Sequence, residues 1–290
     1  VDDPTTVVAW VEALRRVRRP PGPRPRVRAT PYLGLEAFQP EHAEWFFGRE
    51  RLTETLLDRV AAADGLVVVV GASGSGKSSL LRAGLIPAAR AGRLAATAGP
   101  GQWTVVLMTP GERPVDALTA ALAEQDTGQG GLLIIIDQFE ELFAACPDEA
   151  QRRAFLAALD ELAASGRHTG TAPTSDPSPR PVALVAGLRA DFYAHAVRYE
   201  TLVAALQERQ VVVGPMNAEE LRRAIAEPAR RVKAPVEEGL VDLLLADLSP
   251  PGSAVGDAHD AGALPLLSHA LLSTWERGEQ RGMTVAAYRA

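Results

Sequence analysis

Residues 66–79 read LVVVVGASGSGKSS, an aliphatic run followed at once by a glycine-rich turn. Five apolar residues in a row, mostly β-branched and without polar alternation, describe a short strand buried on both faces, as in a parallel sheet. The turn, Gly71–Ser79, fits the spacing G-x-x-x-x-G-K-[ST], and its place between a strand and a helix is the setting in which that spacing carries chemistry. Gly71, Gly74 and Gly76 let the main chain turn through positive φ and approach a ligand closely. The N–H groups running through Ser73 and Ser75 into the following helix N-terminus then face an anion. Lys77 has the reach for β- and γ-phosphates, and Ser78, with Ser79 next to it, brings the hydroxyl expected on Mg2+. Only two of the 30 basic residues are lysine, Lys77 and Lys233, so position 77 holds lysine where arginine is otherwise the rule.

Outward from this stretch, strands and helices alternate, which predicts a parallel sheet with crossover helices. Strands are expected at 66–70, 104–109, 132–136, 182–187 and 210–213, and helices at 78–90, 114–124, 148–164 and 194–207. Beyond Gly214 the strands cease, and helical spacing at 217–233, 236–248 and 264–277 predicts a small bundle, giving domains of 31–214 and 215–290. Upstream, residues 5–18 are spaced as an amphipathic helix, followed by a basic Pro/Arg linker to about residue 30. Residues 165–181 contain almost nothing that packs and are expected to form a mobile loop.

The third strand continues as LLIIIDQFEEL, residues 132–142. Its carboxylate, Asp137, falls at the carboxyl end of the strand, where open α/β sheets bind ligands, and is expected to hold magnesium together with Ser78. Glu140 and Glu141 follow; one of them would orient or deprotonate an attacking water, and Glu140 is favoured. The plainer reading is that both acids suit the positive end of the next helix. The fourth strand, VALVAGLRADFY at 182–193, brings Arg189 to the same edge. It would sense a γ-phosphate and stabilise developing charge, or else form an ordinary salt bridge.

Composition sets outer limits. With 47% hydrophobic and 23% charged residues, 290 residues make an ordinary globular protein of one large or two modest domains. One cysteine, Cys146, excludes an internal disulfide. The net charge of −6 disfavours a role centred on nucleic acid. No run reaches the length of a membrane span and no signal-peptide layout opens the chain, so a cytoplasmic location is expected. The first residue is not methionine, and the chain reads as a fragment of something longer.

Six pieces in order, WFFGRE (45–50), GASGSGKSS, IIIDQFEEL, GLRADFY, VVVGPM (211–216) and GALPL (262–266), resemble the STAND class of signalling P-loop ATPases, near its first novel STAND family and related to NACHT and NB-ARC proteins. The resemblance spans residues 31–290. It implies an α/β P-loop fold of the additional-strand type, with sheet order 5-1-4-3-2 and a helical domain closing over the base. It further implies adenine contacts from Phe47, Gly48 and Arg49, and from Pro215 and Pro265. ATP and ADP are the implied ligands, with Mg2+, slow hydrolysis and self-association on activation. Sensor repeats, an effector and a winged helix would lie outside this chain. Gln138 departs from the small residue usual in the NACHT motif. Two other readings share the motifs: a DNA-remodelling or loader ATPase, and a structural nucleotide holder.

Overall fold

The computed structural model describes residues 30–94, 103–125, 130–166, 181–248, 263–279 and 282–290. The expected N-terminal helix and basic linker, nearly all of the 165–181 loop, and Gly262 lie outside the described residues.

Five strands form one sheet: β1 (Leu66–Gly71), β2 (Thr104–Met108), β3 (Leu132–Ile136), β4 (Val182–Arg189) and β5 (Gln210–Val212). Their order is β2-β3-β4-β1-β5 and every pair is parallel, with β4 inserted between β3 and β1. The sheet order implied by the family resemblance is therefore the one observed. All six residues of β1 and all five of β3 are buried, because helices cover both faces of a parallel sheet.

The period of two along each strand divides the core. Leu66, Val68, Val70, Ile134 and Ile136 face a layer that includes Phe155 and Leu159 of helix Glu149–Ser165 and Leu202 and Leu206 of helix Glu200–Glu208. Val67, Val69, Leu133, Ile135 and Val185 face Leu56, Leu57 and Val60 of helix Glu50–Ala62, with Leu80, Leu81 and Leu85 beside the P-loop. Burying these two layers stabilises the fold by about 25 cal/mol per Å² of apolar surface removed from water.

The helix after the P-loop is not uniform. It is α-helical over Lys77–Ser79, π-helical over Leu80–Leu85 and α-helical again over Ile86–Arg90. Pro87 stands two residues past the end of the widened turn; its ring has no N–H to donate and would crowd the carbonyl four residues earlier. Two further differences from expectation are local. Helix Glu50–Ala62 and a 3-10 turn at Pro40–Trp45 precede β1, and the expected 236–248 helix begins only at Leu240. Gly239, at φ +84°, delays that start, and Val236 instead pairs with Met283 in an isolated parallel bridge.

The helices Ala218–Arg231, Leu240–Leu248 and Ala263–Arg277 share a core of their own, including Leu221, Ile225, Leu244, Leu271 and Trp275. Asn217 caps the first of them through a reciprocal capping box with Glu220. Tyr32, from well before the sheet, belongs to the same core. Its ring meets Trp275 edge-on at 5.9 Å and its hydroxyl donates to the Ile225 carbonyl. By contacts, Pro31–Ala290 forms one compact unit. Among the described residues no helix is long and apolar enough to cross a membrane.

Candidate functional site

Strand register explains why the site residues converge. Gly71 at the end of β1 lies level with Arg189 at the end of β4, and Ile136 lies level with Ala186. Asp137 therefore emerges beside Gly187, and the Phe139 N–H donates to the Gly187 carbonyl at 2.8 Å. A β-carbon on Gly187 would stand 3.0 Å from Leu81 and 3.6 Å from Asp137 Oδ1, so glycine lets the P-loop helix and the acid approach together.

The P-loop adopts the conformation its glycines permit, with Gly74 at φ +74° and Gly76 at φ +90°. Lys77 is buried and donates from Nζ to the Gly71 and Ala72 carbonyls, both at 2.8 Å. Burial pushes the ammonium below its usual range, against the attraction of Glu140. Asp137 is 1% exposed, and both of its oxygens are engaged. Oδ1 accepts the Ser78 hydroxyl at 2.9 Å and the Gln138 N–H at 3.0 Å. Oδ2 takes the Arg82 guanidinium from Nε at 3.0 Å and Nη2 at 2.8 Å.

Glu140 is half-buried, and burial raises its carboxyl above the ordinary value although Lys77 and Arg189 pull the other way. Its Oε2 accepts the Arg189 backbone N–H at 3.2 Å. The Arg189 side chain turns to Asp191, with contacts of 3.1 and 2.7 Å, and lies over the Phe192 ring. The salt-bridge alternative read from sequence thus describes the guanidinium in this structure, while the main chain reaches the crevice edge. Glu141 opens the short helix Glu141–Ala144 one residue further on.

Beside the P-loop opens a cavity of about 250 Å³, near the lower end of small-ligand clefts. Gly74, Gly76, Lys77, Ser78 and Ser79 form one side. The other sides come from the Tyr32–Phe38 segment, from Trp45, Phe46, Phe47 and Arg49, from Met216 after the last strand, and from helical residues including Pro228, Leu264, Pro265 and Leu271. Pro265 stands directly against the P-loop; a β-carbon on Gly74 would lie 2.6 Å from its Cγ.

Residues 31–290 match the family described as Novel STAND NTPase 1. The chain belongs to that family. Comparison with curated protein sequences finds no match. Among solved structures, this STAND NTPase is similar to a Walker-type ATPase of Pyrococcus abyssi (13% identity, 85% of this chain and 72% of that one, TM-score 0.53). It is also similar to the Aeropyrum pernix ORC2 protein solved as ADPNP and ADP complexes (15%, 83% and 65%, TM-score 0.52). A RuvB variant from Thermotoga maritima matches at 14% identity over 84% and 69%, with a TM-score of 0.50. At such identities the likeness is one of fold, and the shared fold is that of P-loop NTPases.

Of the adenine-side residues expected in this STAND NTPase, Phe47, Arg49 and Pro265 line the cavity. Two others do not. Gly48, at φ +87°, is buried where a β-carbon would collide with the Glu220 carbonyl, and Pro215 is exposed, its neighbour Met216 taking the cavity position. Arg49 also joins two backbone segments, donating to the Ser75 carbonyl at 3.2 Å and the Gly214 carbonyl at 2.8 Å. Sequence reasoning missed the Tyr32–Phe38 segment, Gln39 and Arg82. For Arg82 a signal existed, since a cation one turn past Lys77–Ser78 has the reach to meet an acid at the adjoining strand end.

The donor set suits magnesium. Ser78 and Asp137 present hard oxygens side by side next to the P-loop, and Mg2+ prefers one or two protein oxygens completed by phosphates and water. Among the described residues no group of three or more His, Cys, Asp or Glu side chains forms an all-protein cage.

Proposed function

We propose that this chain is the ATP/ADP-dependent switch core of a multidomain bacterial, cytoplasmic signal-transduction ATPase, which binds Mg-ATP, hydrolyses it slowly and couples occupancy to conformational change and self-association. One observation carries this reading: the P-loop, the Asp137 carboxylate and an apolar cavity are contiguous, and the cavity is walled jointly by the P-loop and by residues after the last strand, among them Met216, Pro228, Leu264 and Pro265.

Within that frame the roles follow from chemistry. The P-loop amides and Lys77 would bind the β- and γ-phosphates, Lys77 exchanging the Gly71 and Ala72 carbonyls for phosphate oxygens. Ser78 and Asp137 would hold Mg2+, which neutralises phosphate charge when bound. Glu140, with a carboxyl already raised by burial, is suited to accept a proton from water. Arg189 would leave Asp191 for the γ-phosphate, distinguishing ATP from ADP. The base would lie against Phe47 and Pro265. Because Pro265 meets Gly74 in this conformation, nucleotide bound there would bear on the contact between the sheet and the helical part, which we treat as a separate domain. Ligand shifts such an equilibrium only by its differential affinity for the two states.

Slow turnover is expected because no arginine finger is assigned among the described residues, and a neighbouring copy would have to supply one. ORC2, similar in fold, was solved with ADPNP and ADP, which supports adenine nucleotides as ligands here. The test is single-turnover hydrolysis of Mg-ATP with size measurement in ATP and in ADP. Slow hydrolysis with nucleotide-dependent size supports the switch, whereas turnover stimulated strongly by DNA would favour a remodelling ATPase.

A further inference from the structure

Arg82 does more than neutralise Asp137. Its Nε and Nη2 grip Asp137 Oδ2, while Nη1 donates to Gln39 Oε1 at 3.1 Å. The Gln39 amide is fixed at its other end, where Nε2 donates to the Ala37 carbonyl at 3.0 Å. Next to it, the Phe38 N–H donates to Ser79 Oγ at 3.1 Å. The segment that covers the cavity, Tyr32–Phe38, is therefore pinned to the P-loop helix at two points, Ser79 and Arg82. Arg82 is 22% exposed at its side chain and Asp137 2%, so this network is shielded from water, where charge-assisted hydrogen bonds are strong and a planar guanidinium directs three N–H donors at two acceptors in fixed directions.

We infer that Gln39, Arg82 and Asp137 form a relay that couples the cover of the base cavity to the metal-binding carboxylate, with Arg82 and Gln39 as positioning residues. The inference rests on the Mg-nucleotide reading above. Gln39 sets the plane of the guanidinium. The guanidinium, by holding Oδ2 with two bonds, turns Oδ1 toward Ser78. Ordering of the Tyr32–Phe38 segment over a bound base would thus improve the metal site, and by thermodynamic reciprocity metal at Asp137 would tighten the cover. The π turn at Leu80–Leu85 is what carries Arg82, and glycine at 187 is what leaves Asp137 room to meet it.

The experiment is calorimetric titration of ADP into the 290-residue chain, in EDTA and in excess magnesium, for wild type, Gln39→Ala, Arg82→Lys and the double variant, with Tm recorded for each. The readout is the gain in ADP affinity conferred by magnesium. Gln39→Ala should leave metal-free affinity within about twofold but cut the magnesium gain roughly five- to tenfold, the loss of one charge-assisted hydrogen bond. Arg82→Lys keeps the positive charge but not the fork, and should lose at least as much. The double variant should lose no more than Arg82→Lys alone, as members of one network do. A Gln39→Ala protein with the wild-type magnesium gain, or losses that multiply in the double variant, would overturn the relay while leaving nucleotide binding intact. Wild-type protein that binds no ADP in either buffer would overturn the functional reading and the relay with it.

Discussion

The Glu140 carboxylate is held by the backbone N–H of Arg189, at 3.2 Å, and not by the Arg189 guanidinium, which is given to Asp191. This separates two jobs that sequence alone places on one residue. The main chain at the end of β4 positions the acid, and the side chain remains free to change partners.

Glu140→Gln keeps an oxygen that can accept the Arg189 N–H but removes the base. ATP affinity should stay within about threefold while turnover falls on the order of 10²- to 10⁴-fold in a single-turnover assay. A normal rate would transfer the role to Glu141.

The same variant has a consequence for stability. Burial raises the folded-state value of Glu140 above the ordinary one, so between those two values the folded protein holds a proton that the unfolded chain has lost. Stability contributed by this group is present below the unfolded value and is lost as pH rises through the folded one. Glu140→Gln should therefore raise Tm at pH 7 and change it little below the ordinary carboxylate range. Turnover in wild type should fall as pH drops through the raised value, because the base must be ionised. A Tm difference that grows toward low pH would contradict the assignment.

Arg189→Ala should leave Tm almost unchanged, since its pair with Asp191 is exposed and such pairs contribute little. If the guanidinium senses the γ-phosphate, the ratio of ATP to ADP affinity should fall about tenfold and turnover at least as much. Unaltered discrimination would leave it as a surface salt bridge.

Gly48→Ala tests a contact that no motif reading supplied. At φ +87° a β-carbon is strained and faces the Glu220 carbonyl of helix Ala218–Arg231. The expected loss is about 2–3 kcal/mol, several degrees in Tm for a chain of this size. A neutral result would mean that the helical part adjusts easily against the sheet.

The sheet was legible because its strands are short aliphatic runs, with a phosphate loop to anchor the first and acids or arginine to mark the ends of others. Leu66–Gly71 and Leu132–Ile136 are found almost where periodicity places them. Asp137 and Glu140 followed from the rule that strand ends carry ligands. What could not be read was long-range. Tyr32 packs on Trp275 across nearly the whole chain, and Gln39 meets Arg82 through a turn whose π geometry leaves no pattern in the sequence. Helix Glu50–Ala62 escaped notice because a glutamate- and arginine-rich exposed face dilutes its apolar stripe of Leu56, Leu57 and Val60. Pro215 and Gly48, which the resemblance implies as adenine contacts, lie outside the cavity lining, one in solvent and one under a helix.

Everything proposed for this protein depends on a phosphate chain entering between the Lys77 ammonium and the Ser78–Asp137 pair. The most direct measurement is calorimetric titration of Mg-ATP into wild type and Lys77→Ala. One saturable site in wild type and an affinity lower by about two orders of magnitude or more in the variant, with Tm retained, is the predicted result. Equal affinity in the two proteins, or no binding to wild type, would contradict it.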